Sequence, residues 1–143
     1  SQKIVFEPKN KEYIIFADEL QIKRVITNML SNAITYGDKN STIRIKIEEN
    51  NNEFKLSVIN KSIPIPQKEL STMFNRFKET KLTCFNKAST GLGLYLSKQI
   101  IDMHKGKIFV KSYNDGTCIF GFKLPQKEAQ NPETILKLSQ SKS

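Results

Sequence analysis

The chain has 143 residues, 38% of them hydrophobic, which suits one compact domain with a core of its own. Lys+Arg number 23 against 14 Asp+Glu, and the net charge of +9 suits a polyanion such as nucleic acid, an anionic membrane surface or a nucleoside triphosphate, although charges this scattered also describe an ordinary solvated surface. No run of about eighteen apolar residues occurs and no charged-then-apolar leader opens the chain, so neither a membrane span nor a secretion signal is expected and the domain reads as soluble.

In chain order, short edge strands are expected around Ile4 and over residues 13–16. The run ADELQIKRVITNMLSNAITYG, residues 17–37, then sets Ile22, Val25, Ile26, Met29, Leu30 and Ala33 in one helical stripe, with Asp18 as N-cap and Gly37 as stop. At about 100° per residue, Asn28, Asn32 and Tyr36 form a row along the edge of that stripe. The run TIRIKIEENNNEFKLSVIN, residues 42–60, alternates strictly and predicts a hairpin joined by an asparagine-rich turn. Its parity puts Asn60 on the side of Phe54, Leu56 and Val58, so a polar amide faces the inner layer and needs a partner there.

PQKELSTMFNRF, residues 66–77, reads as a short helix opened by Pro66, with Leu70, Met73 and Phe74 apolar. A polar loop follows. GLGLYLSKQIIDMHKG, residues 91–106, reads as a second long helix with Leu92, Leu96, Ile100 and Met103 in its stripe and Gly106 ending it. Two strands around residues 108–113 and 118–124 flank the turn NDG. The polar segment 126–143 is read as a tail after a domain of residues 1–125; Asn131 before Pro132 caps a further helical turn there, or the tail has no fixed structure. The order of elements predicts an α+β two-layer sandwich, a mostly antiparallel mixed sheet with helices on one face.

Two cysteines, Cys84 and Cys118, sit in unlike surroundings and read as reduced thiols; with one histidine they fall short of a zinc site. His104, at a helix end before Gly106, suits a protonated ring capping carbonyls. Two glycines in STGLGL, residues 89–94, stand where a loop becomes a helix, a start that presents unpaired N–H groups to a phosphate. Asn28 and Asn32, one turn apart, offer amide oxygens of the kind a hard cation such as Mg²⁺ accepts. Each feature alone also has a plain structural reading.

Together, NMLSNAITY, SVINKSIPIP, MFNRF, STGLGLYLSKQIIDMHKGKI and DGTCIFGFKLP resemble the catalytic ATP-binding domain of sensor histidine kinases. That family shares a superfamily with gyrase, the ninety-kilodalton heat-shock chaperone and the MutL mismatch-repair ATPases, whose ATP-binding fold is of the Bergerat type. The resemblance covers about residues 4–125. It implies ATP and Mg²⁺ as cofactors, with Asn32 and Asn28 as metal contacts and Tyr36 lining the nucleotide site. It further implies Asn60 and Ile65 around the base, and Phe77, Arg76 and Lys78 at the phenylalanine box. Thr90, Gly91, Leu92, Gly93 and Leu94 would form the second glycine box, and Thr117 lies in the final hairpin. Residues 78–90 would be a lid over ATP. No catalytic base is expected in this chain, and the implied partners are a histidine-bearing dimerisation domain of the same kinase and a downstream response regulator. An isolated domain is expected to be a cytoplasmic monomer without nucleic-acid or membrane contact, whether or not the full-length protein is membrane-anchored.

The departures are specific. Thr35 stands where the family often has a phosphate-facing lysine. Asn60, Ser62 and Pro64 stand where it usually has an aspartate and two glycines. An amide oxygen still accepts from an adenine amino group, but without the aspartate's charge the bond is weaker. The alternative expectation is a degenerate nucleotide-binding or scaffolding domain, and a nearer rival is an anti-sigma-factor kinase acting on serine. A recognition helix or aromatic stacking array for nucleic acid is absent from the pattern.

Overall fold

The computed structural model describes residues 3–7, 12–50, 52–75, 93–126 and 135–139. Helix α1, Glu19–Tyr36, begins where Asp18 accepts from the Gln21 N–H at 3.1 Å and ends where the Gly37 N–H donates to Ala33. These are the predicted cap and stop. Ile22, Val25, Met29 and Ala33 are buried, with Ile26 and Leu30 packed beside them.

Strands β1 (Lys3–Glu7), β3 (Thr42–Glu49), β4 (Glu53–Lys61), β6 (Thr117–Pro125) and β5 (Lys107–Ser112) form one mixed sheet in the order β1-β3-β4-β6-β5. Only the β1–β3 pair in it is parallel. One face buries Ile43, Ile45 and Ile47 of β3, Phe54, Leu56 and Val58 of β4, and Phe120, Phe122 and Leu124 of β6. Each such side chain taken from water contributes about 1.5–3 kcal/mol. Helix α1 and helix α3, Gly93–Met103, cover that face and pack on each other. The opposite face carries Arg44, Lys46, Lys55 and Lys123, so the alternation in the sequence is the alternation of the sheet. None of the described helices is long and apolar enough to cross a membrane.

Three elements differ from expectation. The helix expected over residues 66–77 is interrupted within the described residues: α2 spans Gln67–Leu70, with Pro66 as its N-cap. Just beyond, the Ser71 and Thr72 hydroxyls donate back to the Lys68 and Glu69 carbonyls, and such side-chain bonds compete with helix continuation. In α3 the buried residues are Ser97, Ile100 and Ile101, whereas Leu96 and Met103 are exposed. The helix is rotated from the expected stripe because a serine occupies the face against α1.

The third difference is strand β7, Ile135–Ser139, which pairs antiparallel with β2, Glu12–Phe16, in place of the expected helical turn or unstructured tail. Five residues are too few for a stable isolated helix. The backbone of β2 stands outside the main sheet and offers an edge that a short segment can pair with.

The end of α3 is a complete Schellman closure: the Gly106 N–H donates to Ile101 and the Lys105 N–H to Asp102. Lys105, not Gly106, takes the left-handed conformation, at φ 60°. A side chain there costs about 1 kcal/mol, so Lys105→Gly is expected to raise the urea midpoint by that equivalent; an unchanged or lower midpoint contradicts it. His104 closes the same corner. Its Nδ1 lies 2.8 Å from the Ile100 carbonyl, and its Nε2 accepts from the Asp18 N–H at 3.0 Å. This pair of contacts uses the neutral ring protonated at Nδ1, not the protonated ring expected.

Candidate functional site

At one end of the helix-covered face the apolar rows of the sheet give way to small polar side chains. Asn60 of β4 stands opposite Cys118 of β6, which stands opposite Ser112 of β5. Asn60 is 3% exposed. Its Nδ2 donates weakly to the Lys61 carbonyl at 3.4 Å, and its Oδ1 is buried with no donor among the described residues. A buried carbonyl oxygen without a donor costs about 1–3 kcal/mol. Such a group either lowers stability for nothing or waits for a donor brought from outside.

Cys118 and Ser112 are not among the expected site residues, and Thr117 is. Thr117 pairs with Lys61, and its hydroxyl lies 3.2 Å from Lys61 Nζ, on the face opposite Asn60, whereas Cys118 shares the face of Asn60. Counting back by twos from Leu124 through Phe122 and Phe120 reaches Cys118, so the signal is present in the sequence. Ser112 Oγ accepts from the Ile65 N–H at 2.8 Å, which ties the buried Ile65, between Pro64 and Pro66, to the same row. Ser62, two residues beyond Asn60, donates its N–H to the Gly116 carbonyl.

Burial pushes the Cys118 thiol up to about 11 from 9.0, with a bond from Ser62 partly offsetting it. The folded state therefore holds this proton more tightly than the unfolded chain. The resulting stabilisation is whole below about pH 9 and is lost as pH rises through 11, a span worth roughly 2–3 kcal/mol. Denaturation of wild type against Cys118→Ala isolates it: the stability difference should be constant below pH 9 and drift against wild type above it. A difference independent of pH from 8 to 11 contradicts the assignment.

The second half of the site lies between α1 and α3. Asn28 Nδ2 donates to the Gly93 carbonyl at 3.3 Å and to Ser97 Oγ at 3.2 Å. Both amide hydrogens are thus engaged, and Oδ1 is the atom left over. A Cβ built on Gly93 would stand 3.8 Å from that oxygen, in ordinary contact, so a side chain there would lie directly beside the amide. Asn32 follows one turn later, partly buried, and Tyr36 after it packs against the edge of the core. Tyr36 also lines a cleft of about 610 Å³ with Lys39, Lys61, Ser62, Ile63 and Gly116, next to the end of β4.

The donor set fits a hard cation: neutral amide oxygens on one helix, beside the start of another. Among the described residues no group of three His, Cys, Asp or Glu is assembled to hold a metal. A cation at Asn28 and Asn32 would therefore complete its shell with water and ligand oxygens, as Mg²⁺ does. Of the other expected residues, Leu94 packs at the start of α3 against the core. Arg76, Phe77, Lys78, Thr90, Gly91 and Leu92 lie outside the described residues, as does the expected lid.

Polar side chains at a sheet's end, asparagines on a neighbouring helix and a glycine at the start of the next helix define a nucleotide-binding class of domain. A family model described as "Histidine kinase-, DNA gyrase B-, and HSP90-like ATPase" matches residues 17–128, and the chain belongs to this family. Within it the chain is of the histidine kinase catalytic-domain type. It is 33% identical to the catalytic domain of histidine kinase ThkA, with a TM-score of 0.74, covering 87% of this chain and 80% of that one. Sensor histidine kinase YvrG of Bacillus subtilis is 33% identical over 76% of this chain. The probable sensor kinase SilS of Salmonella typhimurium is 32% identical over 85% of it. The chain spans only 19% and 24% of those two proteins.

Proposed function

We propose that this domain binds Mg·ATP and donates the γ-phosphoryl group to a histidine on a separate dimerisation domain of the same kinase, upstream of a response regulator. The observation that carries the reading is the unpartnered, buried Oδ1 of Asn60. The exocyclic amino group of adenine is a donor of the right kind to satisfy it. Asn28 and Asn32 then hold the cation from the side of α1, and the start of α3 turns its free N–H groups towards the phosphates. When bound, Mg²⁺ neutralises charge on the phosphoryl oxygens. The chain's own residues position the nucleotide for in-line transfer.

The reading fits the family and its relatives; histidine kinase ThkA has been solved in complex with response regulator protein TrrA. On this proposal the domain works on the cytoplasmic side as a monomer, and pairing of kinase subunits resides in the dimerisation domain. The test mixes this domain with its histidine-bearing acceptor domain and γ-labelled ATP. Labelling of the acceptor is expected, and Asn32→Ala should reduce it at least tenfold. Labelling indifferent to Asn32→Ala refutes the metal role. No saturable binding at millimolar nucleotide favours instead a scaffold that kept the fold, the reading motivated by Thr35, Asn60 and Ser62.

A further inference from the structure

Among the described residues three polar side chains are buried, Ser57, Asn60 and Ser97, and Ser97 is 0% exposed. A hydroxyl in that position is costly unless it is bonded. Its partner is the Asn28 amide, whose Nδ2 lies 3.2 Å from Ser97 Oγ while its other hydrogen goes to the Gly93 carbonyl. Turning the amide by half a turn would set Oδ1 against two oxygens on α3, one of them a carbonyl that has no proton to give. The amide therefore has one favoured orientation, and its nitrogen is committed to α3.

We propose that Ser97 is a positioning residue that fixes the Asn28 amide so that its oxygen, rather than its NH₂ group, faces the cation and triphosphate. The proposal rests on the Mg·ATP function given for the domain. The geometry links three facts that otherwise stand apart: a serine on the buried stripe of α3, a glycine at 93 where any side chain would touch the same amide, and an asparagine with both hydrogens spent. An NH₂ group turned outward in its place would present positive hydrogens to a cation. Ser97 acts through Asn28 and touches no ligand itself.

The experiment measures ATP binding to the full chain by calorimetry, in Mg²⁺ and in EDTA, and takes the ratio as the metal-dependent gain. Ser97→Ala should lower that gain about three- to tenfold, the share of one neutral hydrogen bond, and leave the EDTA affinity unchanged. Ser97→Thr, which keeps the hydroxyl, should restore it. In an Asn28→Ala background, Ser97→Ala should have no further effect on the gain. An equal loss in Mg²⁺ and EDTA, or a full gain in Ser97→Ala, overturns the proposal. A wild-type chain with no metal-dependent gain refutes the Mg·ATP reading itself and the proposal with it, and the wild-type titration alone reveals that case.

Discussion

Asn60→Leu is expected to make the ligand-free domain more stable and to abolish its nucleotide binding. Leucine shares the branch at Cγ and the number of heavy atoms of asparagine, with bulkier methyls, so it occupies the place facing Cys118 without a buried, donorless oxygen. Relief of that group contributes about 1–3 kcal/mol. The hydrogen bond that the amide gives up is long and weak, and its acceptor, the Lys61 carbonyl, keeps a second donor in the Asp38 N–H at 2.7 Å. The wild-type domain should gain about 2.7 kcal/mol at a hundredfold excess of Mg·ATP over Kd, and Asn60→Leu should gain none. The opposite signs give the prediction its force. A variant that is less stable without ligand, or that keeps the nucleotide-induced shift, would mean that Asn60 is a structural group and the base sits elsewhere.

Gly106→Ala is expected to cost the domain about 3 kcal/mol or more. A Cβ at 106 would collide with the Lys123 carbonyl of β6 and lie 3.0 Å from both Ile101 Cγ2 and Leu124 Cδ2. Ile101 and Leu124 are fully buried, and the carbonyl belongs to a strand paired on both sides, so nothing nearby can yield cheaply. Gly93→Ala is the contrast. There the added methyl meets Asn28 at 3.7–3.9 Å, ordinary contact, so folding should be untouched while a methyl is set against the Asn28 amide. Urea denaturation and ATP titration of the two variants should separate: one loses stability, the other loses ligand. Equal stability of Gly106→Ala and wild type would contradict the packing at that corner.

Strict alternation makes β3 and β4 legible in the sequence, since a period of two fixes each side chain's face and carries Asn60 inward by parity alone. Asp18 and Gly37 mark the ends of α1 because capping chemistry is local. The stripe of α3 is illegible for a physical reason: Ser97 is inside because Asn28 on another element satisfies it, and a hydropathy pattern records no distant partner. Gly106 is legible as a helix stop, but the reason for a glycine there is not: Lys105 takes the left-handed conformation, and Gly106 is required by the closeness of β6. Strand β7 escapes a reading of its own residues because its stability lies in the edge of β2, more than a hundred residues away. In the site, Asn28, Asn32 and Asn60 are legible from pattern and resemblance together, whereas the row from Asn60 through Cys118 to Ser112 exists only in the pairing of three strands.

The claim on which the rest depends is that the inner end of β4 and the start of α3 serve one ligand. Proton–nitrogen correlation spectra recorded during a Mg·ATP titration test it directly, because the side-chain NH₂ groups of Asn28, Asn32 and Asn60 each give their own signals. All three should shift along one saturation curve, with a single Kd. Shifts confined to one side of the site, or two curves with separate midpoints, would contradict a shared nucleotide cavity.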